Sequence, residues 1–179
     1  MHARQPLPRL WLMTDERLGP GLLDIVSRLP AGSGVVFRHY SLPLPDRRRL
    51  FDKVRAIARR RRIPVLLGGS PALAMAWRAD GSHGATKGKV GPAHLLRSAA
   101  VHDLRELHRA ARYGANFIFV SPVFATRSHP GAPTLGVSGF RRLARRSSVP
   151  VIALGGVNAK VMRRVGPLAY GWAGIDAFA

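Results

Sequence analysis

The chain has no cysteine, which excludes a disulfide framework, a thiolate metal site and a cysteine nucleophile. It has no run of about eighteen apolar residues, so no membrane span is expected. The first residues, Met1-His2-Ala3-Arg4-Gln5-Pro6, lack the apolar stretch of a signal peptide. A cytoplasmic location fits these absences. Acidic side chains are scarce too: 9 Asp and Glu stand against 29 Lys and Arg, a formal charge of +20, and only four of those cations are lysines.

What is present describes a globular chain. At 179 residues, 46% of them hydrophobic and 21% charged, residues 1–179 suffice for one well-buried core and not for two domains. The positive field attracts polyanions and admits nonspecific nucleic-acid binding. The arginines fall in helical stretches such as Arg47-Arg48-Arg49, residues 59–62, Arg141-Arg142 and Arg145-Arg146. They alternate with apolar positions rather than with aromatics suited to base stacking, so a solvated basic surface is the other reading.

Short apolar runs alternate with helical patterns along the whole chain. Leu10-Trp11-Leu12-Met13, Val35-Val36-Phe37 and Pro64-Val65-Leu66-Leu67 read as the first three strands. Asp46 is expected to open a helix with Leu50, Val54, Ile57 and Ala58 inward. Weaker strands fall at Gly81-Ser82-His83 and Ala99-Ala100-Val101, and a strong one runs from Ala115 to Val120. Asp103 with Glu106 has the spacing of a capping box. A long loop from Ser121 to Gly136 comes next, a length more often functional than idle. Ser138 is expected to open a helix, Val149 the seventh strand, and Gly174-Ile175-Asp176-Ala177-Phe178 is expected to be the eighth. Eight strands with intervening helices predict an α/β fold, a compact (β/α)8 TIM barrel lacking the final helix, with a doubly wound sheet as the other arrangement. The apolar surface near strands one and eight would then be covered by the N-terminal segment or by a second copy in a homodimer.

The most informative junction is Val149 to Leu154 running into Gly155-Gly156-Val157-Asn158. Glycines let a phosphate approach the backbone, Asn158 can cap the next helix, and the free N–H groups of a new helix favour an anion. In a βα barrel this lies after the seventh strand, where phosphates are commonly held. A tight turn without a ligand is the plainer reading.

The segment from Gly114 through Ser121-Pro122-Val123-Phe124-Ala125-Thr126 resembles the thiamine phosphate synthase/TenI family. Further matching pieces occur in that family's order: Thr14-Asp15, Phe37-Arg38, Ala79 to His83, His102 with Glu106, Thr126-Arg127-Ser128, Gly136, and Ala153 to Val157. The resemblance implies a βα barrel that binds a small phosphorylated thiazole or a similar phosphate ester. It implies that Thr126, Ser128, Gly155 and Gly156 hold the phosphate with backbone near Phe178-Ala179, and that Arg38 contacts pyrophosphate. The family's metal and pyrimidine-pyrophosphate positions depart from the pattern. Gly68-Gly69 stand for Asn-Asp, Gly88 for a metal-binding Asp, Tyr40 for Lys, Ala100 for Ser and His129 for Lys. The activity the resemblance implies first is a synthase, a transferase that joins a pyrimidine pyrophosphate to a thiazole phosphate and releases pyrophosphate with Mg²⁺ assistance. Glycine offers Mg²⁺ no side-chain oxygen, so no metal ligand is assigned, and Mg²⁺ enters only if the synthase reaction is retained. The resemblance also implies a second activity, a TenI-like thiazole tautomerase using His102, whose imidazole can take and return a proton near neutrality. His83 and His129 are further candidates at the ligand, and a non-catalytic phosphate- or nucleic-acid-binding protein is the third reading.

Overall fold

The computed structural model of the protein describes residues 6–84, 91–128 and 131–178. Strands β1 (Leu10–Met13), β2 (Ser33–Phe37), β3 (Val65–Gly69), β4 (Gly81–Gly84), β5 (Leu96–Val101), β6 (Phe117–Val120), β7 (Val151–Leu154) and β8 (Gly171–Gly174) lie side by side in chain order, and the sheet closes on itself. Every neighbouring pair is parallel, β8 against β1 included. Helices α1 (Leu22–Arg28), α2 (Leu44–Arg60), α3 (Pro71–Ala76), α4 (Leu104–Arg112), α5 (Gly136–Ala144) and α6 (Met162–Val165) alternate with the strands, except that among the described residues no helix stands between β4 and β5. This is the (β/α)8 barrel the strand count predicts, and the open doubly wound sheet is excluded. Among the described residues no helix is long and apolar enough to cross a membrane.

A barrel strand is buried on both faces, which is why Phe117-Ile118-Phe119-Val120 is apolar throughout rather than alternating. Trp11 of β1 stacks on Phe117 of β6 at 5.0 Å and meets Phe119 edge-on at 5.8 Å. β1 and β6 are not neighbours, so these rings meet across the barrel interior. The indole needs room: a Cβ on Gly34, its register partner on β2, would lie 2.5 Å from the ring. Its N–H is satisfied by Pro8 O at 2.8 Å. A second cluster under α4 and α5, with Leu107, Phe140 and Leu143, completes the core.

Several boundaries differ from expectation: β5 begins at Leu96 rather than Ala99, β6 at Phe117 rather than Ala115 and β7 at Val151 rather than Val149. β8 is Gly171–Gly174, and the residues expected to form it include the single 3₁₀ turn Asp176–Phe178. The glycines lower the apparent strand propensity of this segment, but close packing demands them: a Cβ on Gly171 would sit 2.0 Å from Arg9 O. α2 begins at Leu44, and its buried stripe is Arg47, Phe51, Val54 and Ala58, with Leu50 and Ile57 flanking it only partly buried. α5 begins at Gly136, two residues before Ser138. Near β1 and β8, Leu7 packs on the core, and Tyr170 donates its hydroxyl to Leu7 O at 2.8 Å.

Candidate active site at the barrel mouth

The C-terminal ends of β6, β7 and β8 converge with the loop after β1. Val123 N donates to Leu154 O at 2.9 Å and Phe124 N to Gly155 O at 3.0 Å, pinning the β6 loop to the end of β7. Both glycines of that end have positive φ, +88° at Gly155 and +62° at Gly156. Gly156 is pressed so closely under the β6 loop that a Cβ would lie 2.4 Å from Ala125 O. The next residue of that loop is Thr126, whose Oγ1 accepts from Ser128 N at 3.4 Å. The structure therefore brings Thr126, Ser128, Gly155 and Gly156 to one side of the mouth. Asn158 caps the turn after them, its Oδ1 accepting from Lys160 N and Val161 N at 3.0 and 3.1 Å. Phe178 is turned away, stacked flat on Trp172 at 5.4 Å.

Sequence reasoning missed Arg17. Its Nη2 donates to Ser128 Oγ at 2.9 Å across 111 residues of chain, and its other donors reach Asp15 at 2.8 Å and Asp176 at 3.8 Å. Arg127 also faces Asp176, at 4.0 Å. Asp15 in turn binds Arg38 at 2.7 Å, while Arg38 Nε donates to Thr14 O at 2.9 Å. Burial pushes the Asp15 carboxyl up, but the hydrogen bonds and charge of Arg17, with the charge of Arg38, outweigh it and hold the group below the ordinary carboxylate range. Asp15 is thus an anion bridging two guanidiniums, one beside Ser128 and one at the end of β2. The signal in sequence was faint, since Asp15 and Arg17 are near neighbours in an ordinary loop.

The mouth above β2 and β3 is filled by the protein's own side chains. A Cβ on Gly68 would lie 2.3 Å from Tyr40 Oη, so the tyrosine hydroxyl occupies the space a longer residue at 68 would need. Arg47 is buried behind it, its Nε donating to Arg38 O at 2.7 Å and its Nη2 to Gly68 O at 2.6 Å. The guanidinium also lies 5.1 Å from the centre of the Tyr40 ring and 5.5 Å from that of Trp77. Gly68 and Gly69 bring no carboxylate, and among the described residues no group of three or more His, Cys, Asp or Glu could hold a metal ion. The residues present do not fit a Mg²⁺ site here.

The candidate histidines separate. His102 follows β5 and is half exposed. Its Nδ1 lies 2.7 Å from Glu106 Oε2, which also accepts from His102 N at 2.8 Å. Asp103 caps α4 by accepting from Glu106 N at 2.8 Å, so the expected capping pair holds His102 as well. The ring lines a groove with Arg105, Arg142 and Leu143 and has no described contact with Thr126, Ser128 or Gly156. His129, Ala179 and Gly88 lie outside the described residues. His39, not anticipated, is buried with φ 43°, its Nδ1 3.0 Å from Thr14 Oγ1.

His83 lies in the barrel, its Nδ1 3.0 Å from Ser98 Oγ and its ring edge-on to Phe119 at 5.2 Å. Burial, with a lesser push from Arg38, lowers its pKa from 6.5 to about 4. Between those values the unfolded chain takes up a proton that the folded one refuses, so stability falls as pH drops from 6.5 to 4. The shift corresponds to about 3 kcal/mol. Urea unfolding at pH 7 and pH 4 should show wild type losing about that much more than His83→Gln. Equal losses in the two proteins would remove His83 as the cause, because the carboxylates Asp15 and Glu16 titrate in both.

A closed eight-stranded βα barrel with polar and glycine residues gathered at its C-terminal mouth has the architecture in which (β/α)8 proteins place their ligand sites. The family model described as thiamine monophosphate synthase matches residues 11–178, and the chain belongs to that thiamine monophosphate synthase/TenI family. The protein "Putative thiamine-phosphate synthase 2" of Aquifex aeolicus is 31% identical, the match covering 96% of this chain and 98% of that one. The thiamine-phosphate synthase of Chloroflexus aurantiacus is 29% identical over 87% of this chain and 79% of its own. In fold the chain is similar to thiamine phosphate pyrophosphorylase from Pyrococcus furiosus, with a TM-score of 0.79 at 24% identity, over 96% of this chain and 86% of that one.

Proposed function

We propose that the mouth over β6, β7 and β8 binds the phosphate of a small monoester of the thiazole phosphate class, and that this protein works on that one ligand rather than joining it to a pyrimidine pyrophosphate. The observation that carries the reading is the convergence of the Arg17 guanidinium, the Ser128 and Thr126 hydroxyls and the left-handed Gly155-Gly156 turn. A guanidinium fork and hydroxyl donors suit a phosphate dianion. The reading without a second, metal-assisted half is supported by Tyr40 and Arg47 filling the space at Gly68. A reaction that expels pyrophosphate develops charge that a metal would normally stabilise, and Gly68-Gly69 cannot hold one.

The tautomerase reading has its own support in the pairing of His102 with Glu106. A carboxylate on Nδ1 orients the ring and favours the tautomer that carries its proton there, which leaves Nε2 free to face a ligand. Calorimetric titration with a thiazole phosphate in EDTA should show binding, and Arg17→Gln or Ser128→Ala should weaken it by about tenfold to a hundredfold, the range of a hydrogen bond to a charged group. His102→Ala should keep that binding and lose isomerisation. Mg²⁺-dependent release of pyrophosphate from a pyrimidine pyrophosphate with the thiazole phosphate would overturn the single-ligand reading. Full isomerisation by His102→Ala would remove only the role of that histidine.

A further inference from the structure

We infer that the outer face built by α4, α5 and α6, which adjoins the barrel mouth at Phe124 and His102, is a docking surface for the phosphate backbone of a nucleic acid. From residue 107 to the end of the chain ten cations face a single acid, Asp176. Among the described residues, the arginines that form ion pairs are Arg17, Arg28, Arg38, Arg48, Arg49 and Arg127, none of them on α4, α5 or α6. The two acids at the start of α4 are occupied, Asp103 with the cap and Glu106 with His102. The arginines of α4, α5 and α6 therefore form no ion pair among the described residues.

Their arrangement is continuous. A groove of about 750 Å³ runs along α5 beneath Arg142, Arg145, Arg146 and Arg164. A second, of about 370 Å³, shares Arg142 with the first and contains Arg105. A third, of about 680 Å³, shares Arg105 with the second and ends at Arg109 and Arg112. Two arginines brace this track: Arg141 donates to Val165 O at 3.2 Å, and Arg164 lies 5.3 Å from the centre of the Phe124 ring. Neighbouring helices about 10 Å apart give the three-helix face a width of about 20 Å. That width meets about six phosphates along one strand of a duplex, at about 3.4 Å each.

The residue types decide the class of partner. Arginine forks match phosphate oxygens. The large apolar side chains exposed on the molecule include no aromatic residue on these helices, and Leu104 is the one that lies on this face. Base stacking and insertion into a bilayer both need such residues, so the contact is to backbone phosphates and independent of base sequence. A duplex and a single strand share this chemistry, and the two are told apart by measurement.

Fluorescence anisotropy of the full chain with a labelled 24-base-pair DNA duplex and a labelled single-stranded RNA, between 50 and 200 mM salt, tests the assignment. For the duplex, log K against log salt should fall with a slope of about −5. The exposed triple substitution R105Q/R142Q/R145Q should flatten that slope by about 2.7, the share of three phosphates, and weaken binding at 50 mM salt at least about tenfold. R55Q/R59Q/R60Q on α2, which removes the same charge, should change affinity by less than about twofold. R142E alone, on the edge shared by two grooves, should weaken binding about tenfold. Equal losses in the two triple variants, a salt slope near zero, or tighter binding to polyglutamate or to phosphatidylserine vesicles than to either nucleic acid would overturn the proposal.

Discussion

Gly156→Ala is expected to destabilise the fold by about 3 kcal/mol and to weaken phosphate-ester binding at least about a hundredfold. Two costs add. An alanine at φ +62° carries about 1–2 kcal/mol of left-handed strain. Its Cβ would also lie 2.4 Å from Ala125 O and 2.8 Å from Phe124 Cβ. The oxygen is backbone, so no rotamer change relieves that contact, and the β6 loop must lift away from β7. The hydrogen bond from Phe124 N to Gly155 O and the approach of Thr126 to the glycine turn would go with it. Gly131→Ala is the control: its φ is +75°, and nothing lies within 4 Å of the added Cβ. It should cost about 1 kcal/mol and leave binding unchanged. Denaturant unfolding and calorimetry of the two variants read both effects. Wild-type affinity in Gly156→Ala would place the ligand away from the end of β7.

The barrel was legible because its strongest strands advertise themselves. Val65-Leu66-Leu67 and Phe117 to Val120 are apolar without alternation, as strands covered on both faces must be. β8 was misread because the interior needs small residues beside Trp11. Ala173 pairs with Trp11, and the flanking Gly171 and Gly174 have no side chain to signal a strand. The convergence of the glycine turn with the β6 loop was legible for the same kind of reason, since Gly155-Gly156 and Thr126-Arg127-Ser128 are local patterns with local geometry. Arg17 was not, because its partner Ser128 is distant in sequence, and nothing in either segment announces the meeting. Arg47 lay hidden in a run of three arginines that reads as solvated helix surface. One signal was available: residues 47, 51, 54 and 58 fall on a single helical stripe, and three of them are Phe51, Val54 and Ala58. An arginine on an apolar stripe calls for acceptors, and here they are backbone carbonyls rather than carboxylates.

Arg47→Met is accordingly expected to cost about 3 kcal/mol of stability, more than an exposed arginine of the same helix such as Arg59. Methionine keeps an apolar chain beside Phe37 and Trp77 but removes the donors to Arg38 O and Gly68 O. A hydrogen bond from a charged donor contributes about 1.5–3 kcal/mol. Relief from burying a guanidinium offsets part of the loss of two such bonds. The carbonyls left behind decide the sign: both sit where β2 and β3 end, and unpaired buried acceptors are costly. Arg47→Lys should fall between the two proteins, because an ammonium cannot span both acceptors as a planar fork does. The same substitution bears on selectivity. Without Arg47 beneath it, the Tyr40 ring loses the contact that keeps its hydroxyl over Gly68, and that side of the mouth should open to solvent. Iodide quenching of tryptophan fluorescence should then rise through Trp77, which is almost fully buried. A variant as stable as wild type, with Trp77 no more accessible, would show that the ends of β2 and β3 are closed by the tyrosine alone.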